Sequence, residues 1–244
     1  MALGTIAAAA STAAAVKLAQ KLAEELAKQA SGKVALVIKE MTNKRALRNI
    51  ANNLIAIDRV KTLVHSEKEV SLSSIYYPSR IAYDGGRSVR IESISELPSS
   101  GNYIIQGTIG QGKSFFLRYL CLAQLKDSSS AFPIFLELKT LAESEDLLHF
   151  IQEGFRDYGL QIDDDLFELY AKSGHFILLL DAFDELPEAT ITDVVKRLEQ
   201  LTRRYPALRI PFATAARGAS REVIVCLLRN GRIPPNFQTS LLFG

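Results

Sequence analysis

Gly107-Thr108-Ile109-Gly110-Gln111-Gly112-Lys113-Ser114 is the stretch of this chain with the most chemistry in its spacing. It fits the pattern G-x-x-x-x-G-K-[ST] without deviation. Its glycines permit backbone torsions that a side chain would forbid. The chain can therefore wrap an anion and turn its N–H groups inward. A helix opening near Lys113 aims the positive end of its dipole at the same anion. Lys113 would reach the β- and γ-phosphates of a nucleotide, and Ser114 would ligate Mg2+ through its hydroxyl. The plainer alternative is a glycine-rich turn ahead of a surface helix. The position of the motif, between a predicted strand and a predicted helix, favours the phosphate loop.

A second string, residues 177–187, reads Ile-Leu-Leu-Leu-Asp-Ala-Phe-Asp-Glu-Leu-Pro. An apolar strand that ends in Asp181 places a carboxylate where a phosphate-loop fold orients its Mg2+, often through water. At the carboxyl end of a central strand, Asp181 would lie near the loop. Asp184 or Glu185, on the following turn, could polarise an attacking water as general base. Read alone, the string is equally a strand followed by an acidic helix start, where carboxylates favour the dipole. Paired with the phosphate loop, the catalytic reading is preferred.

These residues need a scaffold, and the pattern supplies one. Strands are predicted at 103–106, 132–138, 175–180 and 208–214. Helices are predicted at 113–125, 144–158, 164–172 and 190–205, the last with Val194, Val195, Leu198 and Leu201 on one side. Strands alternating with helices imply an α/β fold, a three-layer core with a mostly parallel sheet covered on both faces. Ahead of it, residues 16–30 carry a helical stripe of Val16, Leu18, Ala19, Leu22, Ala23 and Leu26, and a second helical region spans 33–65. Between them and the core, 70–83 and 87–94 read as a small β-rich connector around the Asp84-Gly85-Gly86 turn. The tail, 229–244, reads as a short strand and a loop with Pro234 and Pro235. The expected divisions are a helical region at 1–66, a connector at 67–100, the core at 101–235 and a tail at 236–244.

Composition narrows the function classes. The 244 residues carry a net charge of +2, with 48% hydrophobic and 23% charged residues, which suits a globular protein and gives no nucleic-acid footprint. Two distant cysteines, Cys121 and Cys226, form neither a metal set nor a disulfide framework. The expected compartment is reducing, hence cytoplasmic. The alanine-rich 7–16 stretch has no basic residue before Lys17 and is too short and weakly apolar for a span. A small-molecule phosphotransferase would want an arginine-rich lid, and 142–172 holds only Arg156.

The string Leu178-Leu179-Leu180-Asp181-Ala182-Phe183-Asp184-Glu185-Leu186 closely resembles the Walker B motif of NACHT domains, within the STAND class of signal-transducing ATPases. A small residue after the first aspartate and further acids after it belong to that pattern. Gln106 to Leu120 and Phe132 to Leu138 resemble the same family, and the similarity covers about 103–217. The Tyr76-Tyr77-Pro78-Ser79 segment is similar to the region ahead of this domain in some bacterial proteins. The resemblance implies ATP/ADP and Mg2+ as ligands, with ATP preferred; the guanine-reading Asn-Lys-x-Asp string is absent. It also implies a sensor after the fourth strand, usually Thr-Ser-Arg-Pro. Here Thr214-Ala215-Ala216-Arg217-Gly218 stands there, with Arg217 the candidate γ-phosphate sensor, shifted by one and lacking the proline. The resemblance also implies helical and winged-helix domains that close over the nucleotide, and the expectation for these 244 residues is a core without them. The expectation is therefore a slowly hydrolysing ATP switch, bacterial in type and with a role in antiphage defence. The alternative is a nucleotide-binding scaffold or truncated regulatory fragment without turnover. The N-terminal helices are the expected surface for homo-oligomer or effector contacts.

Overall fold

The computed structural model describes residues 2–62, 67–78, 80–83, 88–97, 102–108, 110–125, 131–143, 146–215 and 223–228. Three helices lead the chain: α1 (Ala2–Gln29), α2 (Gly32–Met41) and α3 (Lys44–Ala56). The single helical region expected over 33–65 is divided at Asn43. The Asn43 carboxamide accepts from the Ala46 N–H at 2.8 Å, and such a cap starts a new helix instead of extending the old one. A two-stranded ribbon of β1 (Arg59–Val60) and β2 (Val70–Ser71) follows, then one turn of helix, α4 (Leu72–Ile75).

The remaining strands form one sheet: β3 (Arg80–Tyr83), β4 (Ser88–Arg90), β5 (Asn102–Gly107), β6 (Phe132–Glu137), β7 (Phe176–Asp181), β8 (Phe212–Ala215) and β9 (Val223–Leu228). Their order is β4-β3-β9-β5-β8-β7-β6. From β5 to β6 the four strands are parallel. Beyond β5 the sheet reverses: β9 runs antiparallel to β5 over Asn102–Gln106 and parallel to β3, and β3 and β4 make an antiparallel pair. The hairpin expected as a connector thus continues the main sheet through β9. That strand, Val-Ile-Val-Cys-Leu-Leu, went unread in the sequence. The strand expected at the start of 229–244 lies outside the described residues, as do Ile109 and Arg217.

Helices α5 (Lys113–Ala123), α6 (Leu147–Asp157), α7 (Asp164–Ser173) and α8 (Glu188–Arg204) complete the layers. Alternation along the strands decides which face each helix covers. Phe135, Glu137 and Asp181 share one face, and Arg118 of α5 lies over the Phe135 ring and bonds Glu137 there. Leu136 and Phe176 share the other. There Gly154 of α6 approaches Leu136 so closely that an added Cβ would stand 2.2 Å from its Cδ2, and Phe155 and Tyr170 pack on Phe176. Asp146 and Asp163 cap α6 and α7 through N–H groups of their first turns.

Strand β6 forms the far edge. Pro133 and Phe135, two residues apart, direct their backbone nitrogens the same way. The first has no proton to offer, and the second donates to the Tyr158 hydroxyl at 3.0 Å. Proline suits an edge position for this reason.

The N-terminal helices belong to this core. Leu18, Leu22, Ala23 and Leu26 of α1 are buried, and α1 packs on α3, α7 and β6. Asn53 of α3 donates to the Asp157 carbonyl at 2.8 Å, and the Tyr170 hydroxyl, which donates to Gln161 O, lies 3.3 Å from Met41 Sδ. The apolar stripe read at 16–30 is thus spent on intramolecular packing.

Candidate functional site

Strand β5 ends at Gly107 and α5 begins at Lys113, so the glycine-rich segment joins a buried strand to a helix amino end. Gly110 and Gly112 have φ of +83° and +77°, and a Cβ at either would meet nothing within 4 Å. Torsion, not crowding, therefore demands glycine at both positions. The Gln111 side chain ties the loop from within, its Oε1 accepting from the Thr108 N–H at 2.6 Å. Lys113 folds back over the loop, donating to the carbonyls of Gly107 at 2.9 Å and Thr108 at 3.1 Å. Its ammonium is thus held at the loop's own rim. Those carbonyls are weaker partners than an anion, because ionised acceptors make the stronger bonds.

The structure brings the two sequence motifs together. Strand β8 inserts between β5 and β7, and the parallel register sets all their carboxyl ends on one edge of the sheet. Asp181, the last residue of β7 and only 4% exposed, lies beside the Ser114 hydroxyl and the Ala182 N–H, both of which favour its charged form. Burial raises its carboxyl above the ordinary range, against the opposing pull of those two donors. The sign follows from linkage. The folded protein holds this proton more tightly than the unfolded chain does, so stability falls as pH rises from the ordinary aspartate range through the folded value. Asp181→Asn should accordingly raise the melting temperature at pH 7, with the gain shrinking at acid pH where both forms are neutral. A lower melting temperature at pH 7 would contradict the assignment of burial as the dominant cause.

Ala182 has φ +57° and ψ +38°, the one non-glycine with positive φ among the described residues. A left-handed residue with a Cβ costs roughly 1–2 kcal/mol. The turn sends the chain abruptly from β7 into the 3-10 helix Phe183–Glu185, which leaves Asp184 and Glu185 exposed beside the strand ends. A small residue is needed after Asp181 because a larger or β-branched side chain would add to that strain. Phe183 anchors the turn by packing on Phe212, ring centroids 5.4 Å apart.

Three charged residues not singled out in the sequence complete the site. Glu137 ends β6 in register with Asp181. Arg118 of α5 and Lys139 of the 3-10 helix Leu138–Glu143 each reach it at 2.8 Å. Burial pushes the Glu137 carboxyl up, but the bonds and charges of Lys139 and Arg118 outweigh it and hold Glu137 below its ordinary value. The signal was available, since a carboxylate at the end of an apolar strand is what drew attention to Asp181. Cys121 lies buried in α5, and burial pushes its thiol up, so it packs and does not react.

Ser114 and Asp181 offer adjacent oxygen ligands. Mg2+ takes one or two such ligands and completes its shell with water and phosphate oxygens, so this donor set fits it. Among the described residues no group of three or more His, Cys, Asp or Glu gathers into a metal cage of its own. No helix among them is long and apolar enough to cross a membrane.

A family model described as the NACHT domain matches residues 102–230. No curated protein and no solved structure gives a significant match.

Proposed function

The chain belongs to the NACHT-domain family, and on that premise we propose that it is an ATP-binding switch that hydrolyses its nucleotide slowly. The observation that carries this reading is the placement of Ser114, the second residue of α5, beside the Asp181 carboxylate at the end of β7. It joins the phosphate loop to the acidic strand end in one site. In this reading the N–H groups of Gly110 to Ser114 cradle the phosphates. Lys113 leaves the carbonyls of Gly107 and Thr108 for the β- and γ-oxygens. Ser114 and Asp181 hold Mg2+, which when bound neutralises charge on the phosphate oxygens. Glu185, or Asp184 beside it, orients and deprotonates the attacking water. Arg217 is the γ-phosphate sensor of this reading. Cytoplasmic placement, a signalling role in bacterial antiphage defence, and homo-oligomer or effector contacts through the outer faces of α1–α3 complete it.

Titration of the chain with MgATP by calorimetry, with phosphate release followed on the same sample, tests the proposal. Binding with slow release supports it. Binding with no release at all moves the chain to a nucleotide-dependent scaffold. Glu185→Gln should keep MgATP affinity and lower turnover by about 100-fold or more, as loss of a general base does. Unchanged turnover in that variant would pass the role to Asp184.

A further inference from the structure

Glu137 has two cations, and they are held differently. The Arg118 side chain is 22% exposed and its guanidinium stands over the Phe135 ring, 4.5 Å from the centroid. Lys139 is 46% exposed and bonds only through its flexible end. If Lys139 departs, Glu137 keeps Arg118, so the cost of departure is that of a half-exposed ion pair, which is small. The root of Lys139 is fixed meanwhile, because its 3-10 helix packs on the 3-10 helix that carries Asp184 and Glu185. The field of its ammonium already reaches Glu185 and Asp181.

We propose that Lys139 is a terminal-phosphate ligand that leaves Glu137 for the γ-phosphate and so distinguishes a nucleoside triphosphate from a diphosphate. This rests on the nucleotide reading above. The physical need is plain. A triphosphate whose end lies beside Asp181, Asp184, Glu185 and Glu137 meets four carboxylates. Lys113 serves the loop side and Arg118 is committed to Glu137. Lys139 supplies positive charge on the acidic side, on a stem long enough to move. A diphosphate does not extend that far, so the contact exists with one nucleotide and not the other.

The test is calorimetry with MgATP and MgADP on the full chain, wild type beside Lys139→Met and Lys139→Arg, with a melting curve for each. The loss of one charge-assisted contact predicts about tenfold weaker MgATP binding in Lys139→Met, MgADP affinity within about twofold of wild type, and most of the ATP preference retained in Lys139→Arg. Equal weakening of both nucleotides, or no weakening of either, overturns the proposal and leaves the nucleotide site standing. A folded wild type that binds neither nucleotide overturns the nucleotide reading and this inference with it.

Discussion

Lys113→Ala should weaken MgATP binding by about 100-fold while leaving the melting temperature nearly unchanged. The lysine makes two bonds to loop carbonyls, those of Gly107 and Thr108. It is half-buried at the rim, so water replaces it at those carbonyls with little loss. With nucleotide bound, the same ammonium would face phosphate oxygens. Charge-assisted bonds there are each worth about 1.5–3 kcal/mol, and tenfold in affinity corresponds to about 1.4 kcal/mol. Two such contacts account for the hundredfold. Calorimetry on the variant beside wild type reads the affinity, and a thermal melt confirms that both are folded. Undiminished affinity in a folded variant would remove the phosphate-loop assignment, and with it the reading of the site.

Removing residues 1–31 should abolish cooperative folding. The stripe of α1 places Leu18, Leu22 and Leu26 in the core at 5%, 0% and 0% exposure. Each buried leucine contributes about 1.5–3 kcal/mol, so these three supply about 5–9 kcal/mol. That is comparable to the whole stability of a typical domain, about 5–15 kcal/mol. The deletion would also bare the partners of α1 on α3, α7 and β6. A truncated chain that melts as sharply and at the same temperature as the full one would show that the helices are an appended module. Leu22→Ala is the milder companion, with an expected loss of about 2–5 kcal/mol. It keeps the question answerable if the truncated chain cannot be made.

The two readings of the amino-terminal region show where sequence stops being informative. Periodicity located the stripe at Val16 to Leu26 correctly, because a helix repeats its buried face at fixed intervals whatever it packs on. It did not say what that face meets. An oligomer partner and the protein's own α3, α7 and β6 ask for the same leucines. The connector is a parallel case. Residues 80–90 were legible as a hairpin from the turn glycines and β-branched residues. Their place in the main sheet depends on β9, which arrives more than 130 positions later and pairs with both β3 and β5. Strand order is a long-range property that local pattern does not encode.

The sequence by itself determined the local pattern: the glycine-rich loop, the apolar strand ending in Asp181, the acidic pair after it and the α/β alternation. Each is a short-range pattern whose physical requirement, positive φ at Gly110 and Gly112 or a buried run before an acid, is met by neighbouring residues. Only the tertiary structure decided the rest. It set β8 between β5 and β7, placed Ser114 beside Asp181, and brought Arg118 across 19 positions of chain to Glu137, where Lys139 also bonds. Those charges meet because helix and strands share one sheet edge. Three isolated ionic residues in a sequence carry no mark of the partner they will face.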